Sequence, residues 1–355
     1  VLRRPSSNPH RYSVKTAAHS AATSMSENPG GKTKMLESFK IGGYFLLWYA
    51  LNVVYNIYNK QALNALPLPW TLATLQLGVG FFYASALWTL RLRKRPPALS
   101  ESTVQAWAPI ALAHGVGQVC TVCALGGSTV AFVHIIKALE PFFSAVLSSV
   151  ILKQTFALPV YLSLVPVVGG VALACFKSLS FSWLSFLTAM GSNAAFALRA
   201  IFSKKVLQDG NDETNPLPRI SAPNLFGVVT GMAFFALLPI SVAIEWNQYV
   251  PMWEAAMETY TASRVLFLAL SAGLFHYLNN EVMYFALDRV HPITLAVGNT
   301  LKRVFILVAS VIVFRTAMST NAIIGASIAI PGTLVYSLTK QYYDNKARSS
   351  ETSEK

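Results

Sequence analysis

The sequence predicts an all-α membrane protein with ten transmembrane helices arranged as two inverted five-helix repeats. Three observations support this fold class. The chain of 355 residues is 54% hydrophobic and only 12% charged, whereas soluble domains carry about 25% charged residues. Its apolar residues fall in ten runs separated by short connections. Two pairs of segments, one from each half, resemble each other.

Each predicted span is an apolar run close to the roughly 20 residues that a helix needs to cross a bilayer. Several runs contain Gly or Pro, which membrane helices tolerate better than soluble helices do. The longest connections, 208–219 and 245–263, are too short to hold a soluble domain. The ten predicted spans are residues 41–58, 68–90, 104–125, 130–152, 158–176, 183–206, 220–244, 264–287, 292–314 and 321–338.

The spans form one predicted domain, residues 36–343, between two polar ends. Residues 1–35 are rich in Ser, Ala and basic residues, with no acid before Glu27, which is typical of an organellar transit peptide or a disordered segment. Residues 344–355 form a polar tail. Basic residues follow spans two, four, six and ten, so the positive-inside rule places both termini on the cytosol-like side, the stroma in a plastid.

The internal repeat divides the domain into residues 39–177 and 183–342. Residues 56–60, near the end of span one, resemble residues 200–204, near the end of span six. The Ser-Val-Ile run that ends at Ile151 recurs in span nine, where it ends at Ile312. Chance similarity between apolar helices is the alternative. Because five spans per repeat is an odd number, a duplication gives halves of opposite orientation, a recurring transporter architecture with its site near the midplane.

The net charge of +13 does not indicate a nucleic-acid partner, because the basic residues lie mostly in tails, loops and a few membrane positions. Only three cysteines are present, so no disulfide framework is predicted. Cys120 and Cys123 lie one turn apart in an apolar run, which favours a structural reading over a redox pair. The sequence has no metal-binding or nucleophile motif. We therefore expect that the protein binds no metal or cofactor and is not an enzyme.

Permanent charges inside the predicted spans are the strongest functional signal. Lys302 and Arg303 are adjacent in span nine, and Lys137 lies in span four. A charge at that depth costs about 2.5–3.5 kcal/mol on insertion scales. Arg offers a planar fork and Lys a point charge, which together suit a phosphate group. We therefore interpret the chain as a transporter for an anion, with the bilayer and a phosphorylated small molecule as its partners.

Internal ion pairs are the structural alternative for these cations. Glu140 lies one turn from Lys137, and Glu281 in span eight is a possible partner for Arg199 in span six. These two carboxylates are too few to neutralise all the cations in the spans.

The motifs around these residues resemble those of the plastid phosphate translocator family, in the drug/metabolite transporter superfamily. The resemblance covers residues 39–342 and implies ten helices in two inverted halves that exchange inorganic phosphate for a phosphorylated C3, C5 or C6 metabolite. The matching stretches are His134-Ile-Ile-Lys-Ala-Leu-Glu-Pro-Phe-Phe143, Ser192-Asn193 with Phe196, Arg199 and Ser203-Lys-Lys205, and Val297-Gly-Asn-Thr-Leu-Lys-Arg-Val304.

The resemblance also implies roles for single residues. Lys137, Lys302 and Arg303 are similar to the family's phosphate clamp, and Thr121 to a hydroxyl that contacts the substrate. Arg199 and Phe196 are similar to gate or cavity residues, although simple packing is an alternative for Phe196.

Two positions depart from the family pattern. Gln118 stands where triose- and hexose-phosphate members usually carry His and phosphoenolpyruvate members carry Asn, and Asn279 stands where members usually carry Tyr. In the family both positions face the non-phosphate end of the substrate. The departures leave phosphate recognition intact and leave the organic part open.

The sequence thus predicts a phosphate antiporter of a plastid inner envelope membrane that carries triose phosphate, 3-phosphoglycerate or a related sugar phosphate. The alternatives are a phosphoenolpyruvate/phosphate antiporter and a Golgi or reticulum nucleotide-sugar transporter. A membrane-embedded enzyme acting on lipid phosphates and a phosphate channel are more distant alternatives.

Overall fold

The computed structural model describes residues 31–176, 178–209, 217–287 and 292–353. The chain divides into two compact units, Val1–Gly43 and Tyr44–Lys355. Of the first unit only residues 31–43 are described, and they are helical. The predicted N-terminal segment 1–35 therefore lies outside the described residues except for its last five. The predicted polar tail from residue 344 is helical up to Ser353.

The described residues form helices and short 3-10 turns and contain no strand, which confirms the all-α prediction for this part of the chain. The 3-10 turns are Lys137–Leu139 and Trp246–Gln248. The α-helices are α1 Gly31–Ala65, α2 Pro69–Thr89, α3 Glu101–Gly127, α4 Val130–Ile136, α5 Glu140–Ile151, α6 Leu158–Leu162, α7 Val165–Cys175, α8 Trp183–Asp209, α9 Ala222–Glu245, α10 Tyr249–Thr259, α11 Ala262–Leu287, α12 Pro292–Phe314 and α13 Thr320–Ser353.

Eight helical segments of the described residues are long and apolar enough to cross a membrane. They include α2, α3, α8, α12 and α13, the pairs α4–α5 and α6–α7, and the segment from α9 to α10. The other two predicted spans correspond to α1 and α11. These two helices carry buried polar side chains, which lower their mean hydropathy: Asn52, Asn56, Asn59, His276, Asn279 and Glu281.

Large apolar side chains on the outer faces of the helices are exposed, as in a protein surrounded by lipid. Val150 on α5 is 71% exposed and Ile312 on α12 is 69% exposed. Exposed contiguous apolar surface on this scale is rare in soluble monomers. The outer surface therefore agrees with a multi-pass membrane protein.

The inner packing joins helices that are distant in sequence. α3 packs on α8, α7 on α13, and α2 on both α9 and α11. At one end of α2, the carboxylate of Glu245 accepts hydrogen bonds from the backbone N–H groups of Trp70 at 2.9 Å and Thr71 at 2.8 Å. A carboxylate at a helix N-terminus satisfies unpaired N–H groups and complements the helix dipole. These two bonds connect the end of α9 to the start of α2.

The contact between α7 and α13 depends on glycine. A Cβ built on Gly170 would lie 2.6 Å from the backbone N of Ala329 and 2.7 Å from the carbonyl oxygen of Gly325. Backbone atoms of a packed helix do not move aside as a flexible side chain does. The two helices can approach this closely only because Gly170 and Gly325 lack side chains, as is common where membrane helices pack.

We expect Gly170→Ala to destabilise the protein by about 1–3 kcal/mol, because the added methyl group forces the two backbones apart. Gly169→Ala is the matched control, since a Cβ on Gly169 meets nothing within 4 Å. Thermal unfolding of the purified variants in detergent measures the difference. Equal melting temperatures for the two alanine variants would contradict the close-packing interpretation.

Candidate functional site

The break between α4 and α5 brings Lys137 into contact with α3 and α8, and Glu140 into contact with α12. Pro141 lies in the first turn of α5, and its nitrogen has no hydrogen to donate to the carbonyl of Lys137. The α-helical pattern is therefore interrupted, and Lys137–Leu139 form a 3-10 turn. The interruption sets two ionisable side chains at the point where the chain changes from α4 to α5.

The ammonium group of Lys137 is held by two hydroxyl groups from neighbouring helices. Lys137 Nζ donates to Thr121 Oγ1 on α3 at 3.1 Å and to Ser192 Oγ on α8 at 3.0 Å. Each hydroxyl donates its own hydrogen to a backbone carbonyl of its helix, Gly117 O or Ala189 O. Their lone pairs are thereby oriented toward the lysine. Since an ammonium group has three donors, one remains for a ligand.

Arg303 on α12 forms an ion pair with Glu140 on α5, with 2.8 Å between Arg303 Nη2 and Glu140 Oε2. The Arg303 side chain is 10% exposed and that of Glu140 is 43% exposed. Glu140 therefore pairs with Arg303 rather than with Lys137, the partner considered from the sequence. The pair links α5, which follows the turn that carries Lys137, to α12, which carries Lys302 and Arg303.

Lys302, adjacent to Arg303, points to an aromatic ring instead of a carboxylate. Its Nζ lies 4.5 Å from the centroid of Trp48 on α1, a cation–π distance. Trp48 is 1% exposed, so the ring is fixed. Within the described part of the chain, Lys302 has no ion-pair partner.

Phe196 on α8 lies between two parts of the site. Its ring centroid is 4.8 Å from Lys137 Nζ and 4.7 Å from the guanidinium carbon of Arg199. Arg199 Nη1 donates to Nδ1 of His114 on α3 at 3.1 Å. The sequence alternative in which Arg199 pairs with Glu281 is wrong, because Glu281 pairs with Arg93, near the C-terminal end of α2.

Gln118 belongs to a chain of buried amides beside this cluster. Its Nε2 donates to Gln76 Oε1 at 2.6 Å and to the Tyr55 hydroxyl at 3.3 Å. Gln76 in turn donates to Asn59 Oδ1 at 2.8 Å. Both amide hydrogens of Gln118 are used, so the acceptor Oε1 is its one group left for a ligand.

Asn279 on α11 also has both of its amide hydrogens in use. Its Nδ2 donates to the carbonyl oxygens of Phe275 and His276, both at 2.8 Å, within its own helix. Only its side-chain oxygen remains available. The two residues that depart from the family pattern thus both offer hydrogen-bond acceptors.

The charges of the site do not balance. Four cations lie close enough to interact electrostatically: Lys137, Arg199, Lys302 and Arg303. Among the described residues, Glu140 is the one carboxylate that interacts with all four. Three positive charges remain. A partly buried, unneutralised cluster of this size favours binding of a multiply charged anion.

The structure brings together six of the eight sequence-predicted site residues: Lys137, Thr121, Phe196, Arg199, Lys302 and Arg303. The other two predicted residues lie beside this group. Gln118 is one turn from Thr121 on α3. Asn279 is one turn from His276 on α11, and the ring of His276 stacks on that of His114 with 6.1 Å between centroids. Sequence reasoning missed Trp48 and His114. A single aromatic or imidazole residue in an apolar run gave no signal that distinguished it from packing.

The fold and the site define a multi-pass helical membrane protein with a cluster of cations between its helices. A family model described as the Triose-phosphate Transporter family matches residues 39–337, and the chain belongs to this family. The resemblance noted in the sequence is thereby confirmed. Since the family is one of transporters, the expectation that the chain is not an enzyme is also confirmed.

Several translocators are similar to this chain over most of its length. Glucose-6-phosphate/phosphate translocator 2, chloroplastic, of Arabidopsis thaliana is 39% identical over 311 residues, 86% of this chain and 76% of the relative. The chloroplastic triose phosphate/phosphate translocator of Spinacia oleracea is 35% identical over 338 residues, 94% of this chain and 81% of the relative. The chloroplastic xylulose 5-phosphate/phosphate translocator of Arabidopsis thaliana is 35% identical, covering 92% of this chain and 78% of the relative.

A solved structure described only as the crystal structure of a protein has a similar fold. It aligns with a TM-score of 0.55 and 13% sequence identity, covering 85% of this chain and 98% of the other. At 13% sequence identity, the two proteins share a fold, and the similarity says nothing about a shared function.

We expect Glu140→Gln to destabilise the protein without ligand by about 1–3 kcal/mol, because Arg303 loses its partner and the repulsion between cations is no longer offset. Addition of inorganic phosphate restores more stability to this variant than to the unmodified protein. Thermal unfolding with and without phosphate measures both effects. Glu258→Gln, at an exposed position of α10, is the control, and identical behaviour of the two variants would contradict the charge balance described above.

Proposed function

We propose that the protein is an antiporter that exchanges inorganic phosphate for a phosphorylated C3, C5 or C6 metabolite across a plastid membrane. The observation that carries this proposal is the cluster of four cations with one carboxylate at the centre of the bundle. The translocators similar to this chain are named for triose phosphate, glucose 6-phosphate and xylulose 5-phosphate, and all of these share the phosphate group.

Lys137, Lys302 and Arg303 form the phosphate clamp in this proposal. The clamp takes Lys137 from the turn between α4 and α5, and Lys302 and Arg303 from α12. Among the described residues Lys302 has no ion-pair partner, and Lys137 and Arg303 keep donors that their contacts do not use. Thr121 and Ser192 keep Lys137 in place, and Phe196 separates it from Arg199. A phosphate monoester carries about −1.5 to −2 charges near pH 7, which offsets most of the excess.

The acceptor oxygens of Gln118 and Asn279 favour a hydroxylated organic part. Sugar and triose phosphates carry hydroxyl groups that donate hydrogen bonds to such oxygens. Phosphoenolpyruvate has no hydroxyl donor, and its carboxylate is repelled by a carbonyl oxygen. The hydrogen bonds of Gln118 therefore favour a triose or sugar phosphate over the phosphoenolpyruvate alternative, although Gln118 is closer in type to the Asn of those members.

Obligatory exchange follows from the excess charge. Two unit charges 4 Å apart repel by about 4 kcal/mol at an effective dielectric constant of 20. Closing an empty site removes water from the cations and strengthens this repulsion. A bound phosphate dianion cancels most of it, so the loaded protein passes through the occluded state more readily than the empty protein.

The helix contacts support ten spans in two inverted repeats. When α1, α2, α3, α4–α5 and α6–α7 are matched with α8, α9, α11, α12 and α13, equivalent pairs make equivalent contacts. The contact of α2 with α11 has its counterpart in that of α9 with α3. The contact of α3 with α8 has its counterpart in the stacking of Tyr58 on α1 against Phe275 on α11. In this matching α1 and α11 are equivalent to α8 and α3, which are long and apolar enough to cross a membrane. We therefore count α1 and α11 as spans too.

The repeated lysines differ in their contacts. Lys60 Nζ donates to the carbonyl oxygens of Leu125 at 2.7 Å and Ser128 at 3.0 Å, at the C-terminal end of α3. Its repeat counterpart Lys204 is exposed. A transporter that opens to one side at a time has its two halves in different arrangements, and this asymmetry supports such a state.

The proposed location is the plastid inner envelope, with both termini on the stromal side as the basic loops predict. A nucleotide-sugar transporter of the same superfamily is the remaining alternative, and the phosphate translocators similar to this chain favour the sugar-phosphate function.

The test is reconstitution into liposomes loaded with radioactive phosphate. External triose phosphate, 3-phosphoglycerate, phosphoenolpyruvate, glucose 6-phosphate and xylulose 5-phosphate are offered as counter-substrates, with a nucleotide sugar for comparison. We expect release of phosphate with one or more hydroxylated phosphates and the slowest release with phosphoenolpyruvate. Release driven only by the nucleotide sugar would contradict the proposed function.

We expect Lys302→Ala and Arg303→Ala to abolish this exchange, because each removes a charge from the clamp. Arg303→Lys keeps the charge and loses the planar fork, so we expect at least about a tenfold loss of rate. Lys205→Ala, at an exposed position of α8, is the control. Normal exchange by both alanine variants of the clamp would refute its assignment.

A further inference from the structure

A cavity outside the cation cluster lies between α1 and α11. Its volume is about 350 Å³, and it is lined by Val54, Ile57, Tyr58 and Gln61 from α1 and by Arg264 from α11. The four positions on α1 follow the spacing of one helix face. The volume falls in the range of ligand sites, about 300–1,000 Å³.

Aromatic packing makes the floor of the cavity rigid. The ring of Tyr58 stacks on Phe275 with 5.7 Å between centroids and an interplanar angle of 4°. It also meets Phe267 edge to face, again at 5.7 Å. Aromatic pairs in these two geometries are stabilising beyond their buried area. The two phenylalanine rings thus hold the Tyr58 side of the groove in place.

Arg264 supplies a positive charge at one end of the groove. It is the third residue of α11, so it lies at the membrane boundary, where arginine side chains extend toward the headgroups. Its guanidinium carbon is 5.8 Å from the centroid of Phe267. The ion pairs found in the described ranges do not include Arg264, so its charge is available to an anion.

We propose that this cavity binds a glycerophospholipid with an anionic headgroup. The phosphodiester binds the guanidinium of Arg264, with the amide of Gln61 and the hydroxyl of Tyr58 as further donors. An acyl chain lies along Val54 and Ile57. Val54 and Ile57 suit an acyl chain and offer no hydrogen-bond partners to the hydroxyl groups of a sugar phosphate, so the ligand is a lipid and not the transported substrate. The inference does not depend on the proposed transport function.

Native mass spectrometry of the purified protein in detergent tests the site. Phosphatidylglycerol and phosphatidylcholine with identical acyl chains are titrated separately. We expect the protein to bind phosphatidylglycerol about tenfold more tightly at this site. Arg264→Gln is expected to abolish the preference, whereas Lys205→Gln, which removes an exposed cation on α8, is expected to retain it.

The variant Ile57→Trp shows whether weaker lipid binding comes from blocking the groove or from misfolding of the protein. It fills the groove, keeps the charge of Arg264, and is expected to weaken binding of both lipids while thermal unfolding stays cooperative. Inorganic phosphate, added at the same concentration as the lipid, is expected not to displace it. Equal binding of the two lipids, a preference that survives Arg264→Gln, or displacement by free phosphate would each overturn the proposal.

Discussion

The structure depends on keeping several positive charges together between the helices of a membrane protein. Lys137, Lys302, Arg303 and Arg199 come from three separate stretches of the chain, and Glu140 is the shared carboxylate. Each such charge is costly at membrane depth. The helix break at Lys137–Leu139 and the close packing of α3 against α8 position the groups that lower this cost.

The cations are stabilised mainly by neutral groups. Lys137 contacts two hydroxyls and the face of Phe196, Lys302 lies over Trp48, and Arg199 contacts an imidazole nitrogen. Hydroxyls and aromatic rings attract a cation without cancelling its charge. The cluster is therefore tolerated in the folded protein while most of its charge stays uncancelled. A site built from carboxylate pairs would lack this property.

The sequence predicted the helical class and the charges that the structure brings together, because long apolar runs and charges within them carry a large free-energy signal. It did not predict which neutral groups surround each cation. Trp48 and His114 are distant in sequence from Lys302 and Arg199, the cations that they contact. These contacts depend on tertiary packing. The partner of Glu140 was also ambiguous, because its helical neighbour Lys137 competes with Arg303 from another helix. The amide chain through Gln76 and Asn59 explains why Gln118 presents an oxygen, which its residue type alone did not decide.

The central claim is that the unloaded cation cluster resists occlusion, so that an anion must travel in each direction. Uptake of radioactive phosphate into proteoliposomes, with and without unlabelled phosphate inside, measures this most directly. The account predicts rapid uptake into phosphate-loaded vesicles and uptake no greater than that of protein-free liposomes when the interior holds no phosphate. Uptake at comparable rates into loaded and empty vesicles would contradict it.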